Sequence, residues 1–472
     1  MILNYDLPKL ESELLSFQLD SKQKEVLESA LNYIKSDIKI NSDTKHLCIS
    51  GRAGTGKTQI CALIVKILKD NNIPFLVITP TNKSKNVIAS VVDSEAITVH
   101  RLLSLSPQVD ILELDLKELN FIQKNAIYLQ YKAVWIIDEC SMVNDNLYKL
   151  IIDQATDHQC KIIWLGDEKQ LSPVSQKQVS KTFRNSTKYT LDKVYRQSSD
   201  SPIGKILETL RSNPISRFES TPDSDSGSLK VYNNIREMLE EHCYLFKVGM
   251  NLEDQHIIKL VTYTNKRIEA LNQIIRHLVF NDDEEYHFGE VLTGYDSCMY
   301  KNQGIIENSS DYLVREVEDT TFQGLKAYKL TLYDPSKECD IEITIISRYN
   351  SSYDIANLAA RIDNMRVKAV KSKNGKDWRA YYQFREAFLT PFDLVHEGRV
   401  IKRKSLDYGY CISAHKSQSS SYLAVLVDME NILQCTDPEE LRQLQYVALS
   451  RTTNDIYSVS YTHLRAHETR HD

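Results

Sequence analysis

Gly51-Arg52-Ala53-Gly54-Thr55-Gly56-Lys57-Thr58 decides the fold. The stretch fills every fixed position of the phosphate-binding P-loop pattern. An apolar run, Leu47-Cys48-Ile49, precedes it, and Ile60, Leu63, Ile64, Ile67 and Leu68 follow on one helix face. Strand, glycine turn and helix is the context such a loop requires. Backbone N–H groups have to wrap phosphates, so side chains must be absent where the chain curls. In this reading Gly51, Ala53, Gly54, Thr55, Gly56, Lys57 and Thr58 cradle ATP. Lys57 bridges the β- and γ-phosphates, and the Thr58 hydroxyl holds Mg. A glycine-rich turn with no ligand is the bland alternative, and the flanks weigh against it.

Two further strands end in polar residues. Ala133-Val134-Trp135-Ile136-Ile137 runs into Asp138-Glu139, and its unbroken apolar character suits a strand buried on both faces of a parallel sheet. Acids at a strand's end land at the carboxyl edge, where such sheets place ligands. Asp138 is then expected to hold Mg through water and Glu139 to polarise the attacking water. An acidic turn after a core strand is the alternative. Ile162-Ile163-Trp164-Leu165 leads into Gly166-Asp167-Glu168-Lys169-Gln170. There Gln170, a neutral donor and acceptor, is placed to bond both a terminal phosphate and the lytic water. A solvated turn explains that segment alone equally well.

The 472 residues suggest about three domains. Hydrophobic content of 42% and charged content of 26% are those of an ordinary globular chain. No apolar run reaches membrane-spanning length, the start lacks signal-peptide character, and a cytoplasmic protein with no membrane partner is expected. Nine cysteines without a Cys-x-x-Cys pair suit reduced thiols rather than a disulfide or zinc scaffold. A net charge of −6 excludes a globally basic nucleic-acid binder but not a local cationic groove. Residues 458–472 are set aside as non-native: Val459 to Asp472 looks like translated adapter DNA, so the natural ending is expected to be missing. Its spaced His463, His467 and His471 are not read as a metal site.

Taken in order, the segments resemble the group B branch of the superfamily 1 helicases, which includes RecD-like and Dda-like proteins. Leu19-Asp20-Ser21-Lys22-Gln23 looks like the Q motif, Thr79 to Lys83 like motif Ia and Thr98 to Leu102 like motif Ib. Asp138 to Met142 resembles motif II, Gly166 to Gln170 motif III, and Leu191 to Gln197 motif IV. Ser413-Ala414-His415-Lys416-Ser417-Gln418 looks like motif V and Tyr446 to Thr452 like motif VI. One departure stands out: Ser419 follows Gln418 where the family has glycine, which puts coupling between strand and nucleotide in doubt.

The resemblance implies an α/β fold of two RecA-like P-loop motor domains with parallel sheets. The first spans 1–97 and 132–198, the second 199–289 and 404–457. A pin-type hairpin insertion is expected at 98–131 and a β-rich, barrel-containing insertion at 290–403. It further implies that Gln23 reads the adenine edge, that Arg196 contacts the γ-phosphate and that Arg451 is the arginine finger. Thr81, Asn82, His100, Ser172, Pro173, Thr262, Asn265, His415 and Lys416 are then assigned to a path for single-stranded DNA. Phe121 is the candidate to stack on the last base pair of a duplex junction, with a core role in a small subdomain nearly as good. Arg366, Lys368, Lys371, Lys373, Lys376 and Arg379 around Trp378 form either a DNA-facing arm or a solvated charged surface.

The implied activity is that of an ATP-dependent DNA helicase moving 5′ to 3′. It is expected to act as a monomer, in a bacterium or encoded by its phage, beside replication or repair proteins. A translocase that strips bound proteins, and a nucleic-acid-binding scaffold with decayed ATPase, are the rivals.

Overall fold

The apolar runs that carry the first motifs fold as the middle of a parallel sheet. The computed structural model describes residues 3–15, 18–104, 128–173, 176, 178–195, 201–224, 227–251, 254–300, 303–372 and 374–459. Strands β1 (Leu47–Gly51), β2 (Phe75–Thr79), β3 (Ala96–Thr98), β4 (Val134–Ile137), β5 (Lys161–Gly166) and β6 (Thr187–Leu191) align as β3-β2-β4-β5-β1-β6. Every neighbouring pair is parallel. Alternate residues feed two cores. Ile49, Ile136, Ile163 and Leu165 pack with Ile60, Leu63, Ile64, Ile67 and Leu68 of the helix Lys57–Asp70. Cys48, Trp135, Ile137 and Trp164 join the other layer with Tyr148 and Ile151. Cys61, Ala62 and Val65 are buried as well, so this helix is enclosed on more than the one face that its spacing predicts.

His46, just before β1, is fully buried in this unit. Its Nδ1 accepts the Ile162 N–H at 3.1 Å and lies 2.7 Å from the Tyr33 hydroxyl. Burial pushes its pKa down to about 4. A group depressed from 6.5 contributes stability that is fully present above that value and is lost as the pH falls through 4. His46→Asn keeps an acceptor and removes the titration. Relative to that variant, the wild type should lose about 3 kcal/mol of unfolding free energy on acidification from pH 6.5 to 4. Parallel pH profiles of urea unfolding for the two proteins would show this idea wrong.

The chain continues through β7 (Leu229–Tyr232), β8 (Ile258–Thr262), β9 (Val291–Gly294) and the hairpin β10 (Cys298–Tyr300) with β11 (Gln303–Ile306). Next come β12 (Asp311–Phe322), β13 (Leu325–Asp334), β14 (Cys339–Ile346) and the hairpin β15 (Leu394–His396) with β16 (Arg399–Lys402). The last strands are β17 (Leu406–Tyr408), β18 (Cys411–Ser413), β19 (Tyr422–Val427) and β20 (Thr452–Val459). A second motor-type sheet has the order β18-β8-β19-β20-β7, with β19-β20 and β20-β7 parallel. Two RecA-like sheets are therefore present, as the sequence implies.

The compact units divide differently from the expected domains. One comprises Met1–Met238, Leu260–Thr264 and Ser413–Asp472; the other comprises Leu239–Lys259 and Asn265–Ile412. The first unit holds the six-stranded sheet together with β7, β19 and β20. Side chains of the helix Pro438–Leu449 join them: Arg442 Nη1 donates to Leu210 O at 2.9 Å, and the Tyr446 hydroxyl to Asp167 at 2.9 Å.

In the second unit β14-β13-β12-β9-β17 form an antiparallel sheet. Its last strand, at 406–408, lies beyond residue 403, where the insertion was expected to end. The ends of the sheet are bridged rather than paired. Leu389 bonds Thr344 and Ile346 beside β14, and Thr390 accepts from Ser405 and Leu406 beside β17. That segment covers edges that would otherwise be open to pairing. Helices Ser352–Ser372 and Gly375–Arg385 pack beside it through Leu358, Ile362, Trp378 and Tyr381. Within the basic cluster Lys368 pairs with Asp377 at 3.2 Å and Arg366 with Asp363 at 2.8 Å. Phe121 and most of the expected pin, Arg196, Lys373 and residues 460–472 lie outside the described residues. Among the described residues no helix is long and apolar enough to cross a membrane.

Candidate nucleotide site and strand path

β1 ends at Gly51, and the loop that follows enters the helix Lys57–Asp70 through Gly56, whose φ is +89°. Glycine takes that left-handed backbone without strain. A Cβ at Gly56 would also lie 2.5 Å from Gln23 Nε2. No side chain caps the helix, so its first N–H groups are left for another acceptor. Lys57 Nζ donates to Gly51 O at 2.6 Å and Arg52 O at 2.8 Å, folded into the loop that carries it. Thr58 beside it is half-buried.

Asp138 and Glu139 follow β4 at the same carboxyl edge. Burial, and next the charge of Glu139, push the Asp138 carboxyl up to about 7, while the Lys57 ammonium pulls it back. Such a group gains most from a cation. Glu139 has φ +51°, rare for a side-chain-bearing residue, and its Oε1 accepts from the Ser419 hydroxyl at 2.8 Å. After β5, Gln170 is buried with its Oε1 lacking a hydrogen-bond partner. Gln418 Nε2 and Ser420 Oγ are orphaned in the same way. An uncapped helix, a flexed lysine and an unpartnered amide fit a nucleotide's polyphosphate with its cation. The residues that would hold it are Lys57, Thr58, Asp138 and Gln170.

Several expected roles meet different partners. Gln23, assigned to the adenine edge, is buried and committed. Its Nε2 donates to Thr55 O at 3.1 Å, and its Oε1 accepts from Asp20 N at 3.1 Å within a capping box. Its amide therefore braces the P-loop. The residue that the sequence reading passed over is Tyr195. Its N–H donates to Gly54 O at 2.8 Å, its hydroxyl donates to Asp20, and the residue is 40% exposed. An aromatic one place before Arg196 was the available signal.

Arg451 is 3% exposed and folded onto its own lobe. Its Nε donates to Val447 O at 3.0 Å, its Nη1 to Ser417 O and Ser420 O at 3.4 Å each, and its Nη2 to Ser450 Oγ at 2.8 Å.

The strand-path candidates separate into groups. Thr262 is buried inside β8, its hydroxyl 3.0 Å from Asn431 Oδ1 and 3.2 Å from Asp428 Oδ2, so it cannot face a strand in this conformation. Pro173 is buried as well. Thr81 caps the helix Asn82–Val92, accepting from Ser84 N at 3.2 Å, and Asn82 opens that helix. Ser172 is bonded to Gln443, with its N–H donating to Oε1 at 3.0 Å and its Oγ accepting from Nε2 at 3.3 Å. His100 and Lys416 are half-buried, and Asn265 is exposed at the start of the helix Asn265–Phe280. The His415 ring stacks on Tyr263 with centroids 6.2 Å apart, and burial lowers its pKa.

A second polar junction sits beside Gln170. The buried Asp167 accepts from the Tyr446 hydroxyl at 2.9 Å and from Arg211 Nη1 at 3.5 Å. One sheet edge thus receives the loop lysine, the acid pair and the amide, and a helix leading to motif VI locks onto it. That arrangement defines a P-loop NTPase with two RecA-like lobes. Residues 18–227 match the AAA domain family model. The ATP-dependent DNA helicase dda of Enterobacteria phage T4 is 25% identical over 466 residues, covering 91% of this chain and 98% of that protein. The ATP-dependent DNA helicase Pif1 of Campylobacter jejuni is 22% identical over 430 residues, covering 86% of each. The crystal structure of Pif1 helicase from Candida albicans superposes over 94% of this chain and 95% of that one, with TM-score 0.51 and 16% identity. Over most of its length the chain is thus similar to helicases named Dda and Pif1, and it shares its fold with the Candida Pif1 structure.

Proposed function

We propose that this chain is an ATP-dependent DNA helicase that moves 5′ to 3′ along single strands and separates duplexes. The observation that carries the reading is the convergence of Lys57, Asp138, Glu139 and Gln170 at one sheet edge, with the second lobe bonded to that edge through Tyr446 and Asp167. The relatives described above are named as ATP-dependent DNA helicases, and the coverage of the chain extends through both lobes.

Bound Mg would supply charge to neutralise the developing phosphate oxygens. Lys57, released from Gly51 O and Arg52 O, has its ammonium free for the phosphates. Glu139 takes a proton from the attacking water, and Gln170 offers its unpartnered oxygen to that water. Tyr195 presents a half-exposed ring beside the loop, a surface on which a base stacks. Thr81, Asn82, Ser172, His415 and Lys416 supply hydroxyl, amide and cationic groups that hold phosphates without reading sequence. Binding of a strand is accordingly expected to weaken with added salt.

Strand displacement tests the function. A duplex with a 5′ single-stranded tail should be unwound in an ATP-dependent manner, and its 3′-tailed counterpart should not. ATP hydrolysis that rises with oligonucleotide while neither substrate is opened would favour a translocase. Turnover indifferent to oligonucleotide would reject a nucleic-acid motor altogether.

A further inference from the structure

Ser419 and Glu139 lie 280 positions apart in the chain, yet the hydroxyl of one donates to the carboxylate of the other at 2.8 Å. Both residues hold left-handed backbone, with φ +66° at Ser419 and +51° at Glu139. Neither is glycine or asparagine, so each conformation carries strain that the surroundings must maintain. Ser420 N–H donates to Ser417 O at 3.1 Å, closing a turn around Ser419. The Arg451 guanidinium then bonds the carbonyls of Ser417 and Ser420, fixing the turn from behind. His415 and Lys416 begin the same loop and carry the strand-path assignment. A single hydrogen-bonded route therefore runs from Arg451 through the turn to the Ser419 hydroxyl and on to Glu139.

We infer that Ser419 is a positioning residue that restrains the Glu139 carboxylate, holding hydrolysis low until a nucleic-acid strand moves the loop. The inference rests on the proposed function, because it assigns Glu139 to the attacking water. A general base needs a carboxylate oxygen free to accept a proton. A hydroxyl donating to Oε1 occupies one acceptor position of that carboxylate. It also fixes the rotamer of a side chain that has to reach a water molecule over the P-loop. Displacing the loop that bears His415 and Lys416 would break the bond and release the base. Strand binding and hydrolysis then share one switch, with no separate relay required.

Two substitutions isolate the hydroxyl from the backbone. Ser419→Gly removes it and relieves the left-handed strain; Ser419→Ala removes it and leaves the strain in place. Each is expected to raise ATP turnover without DNA by about tenfold, equivalent to about 1.4 kcal/mol. Turnover at saturating single-stranded DNA should stay within about twofold of wild type, because the bond is already broken there. A rise confined to the glycine variant would assign the effect to strain and overturn the inference. Basal turnover that stays flat or falls in both variants would overturn it too, since an orienting bond would then be the better account. In the protein without nucleotide or strand, a double-mutant cycle of unfolding with Ser419→Ala and Glu139→Ala should be non-additive. Additive effects would deny that the bond exists. Wild-type turnover that fails to respond to DNA would defeat the helicase reading itself, whereas a DNA-responsive wild type with variants whose basal turnover stays at the wild-type level defeats only the brake.

Discussion

Lys57→Ala is expected to lower strand-stimulated ATP turnover by about 10³-fold. The loss follows from position as well as charge. Lys57 stands at the first turn of an uncapped helix, and its ammonium already lies against two loop carbonyls, Gly51 O and Arg52 O. In a water-excluded site, a donor aimed at developing negative charge is worth about 10²–10³ in rate when removed alone. The same ammonium pulls down the Asp138 carboxyl, which burial and the charge of Glu139 push up. Without it, Asp138 is protonated over more of the neutral range, so the cation site weakens together with the phosphate contact. The fold should survive, because the apolar face Ile60, Leu63, Ile64, Ile67 and Leu68 is buried independently of Lys57. Turnover measured beside an unchanged unfolding midpoint gives the comparison. Undiminished hydrolysis by the folded variant would reject this active site.

What made that site legible was local chemistry. A glycine turn, the helix after it and an apolar strand ending in acids each declare themselves within a dozen residues, and the parallel sheet brings such strand ends to one edge. Side-chain partnerships were a different matter. Gln23 was legible as a polar group near the P-loop, but not as one committed at both ends to Asp20 and Thr55. Thr262 reads as a polar residue ending a strand; only the fold shows Asn431 and Asp428 waiting for its hydroxyl. Ser419 was visible as a departure from glycine, and its φ of +66° shows why glycine suits the position. That its hydroxyl reaches Glu139 depends on two lobes meeting, which no local pattern encodes. That β17 joins the antiparallel sheet was not legible for a related reason. β17 is only three residues long and is defined by pairing with β9, more than a hundred residues earlier in the chain.

Arg451→Lys is expected to lower strand-stimulated turnover by about 10³-fold or more, the range for losing an arginine finger. The free conformation makes this prediction a strict one. Arg451 spends its guanidinium on Val447 O, Ser417 O, Ser420 O and Ser450 Oγ, all within the second lobe. To reach a terminal phosphoryl it must leave the motif V turn, and so it must also loosen the support behind Ser419. A guanidinium can exchange one planar set of acceptors for another, whereas an ammonium presents three donors at a single point and cannot match either set. Lysine should therefore damage both states. The resting state loses its staple, which lowers the unfolding midpoint and lets basal turnover rise if Glu139 is freed. The closed state loses stabilisation of transferred charge, which lowers kcat at saturating ATP and DNA while KM for ATP changes little. A purely structural Arg451 would give the first effect without the second. Loss of less than about tenfold in saturated kcat, in a variant that still folds and binds single strands, would remove Arg451 from the chemistry and leave it as the staple of the motif V loop.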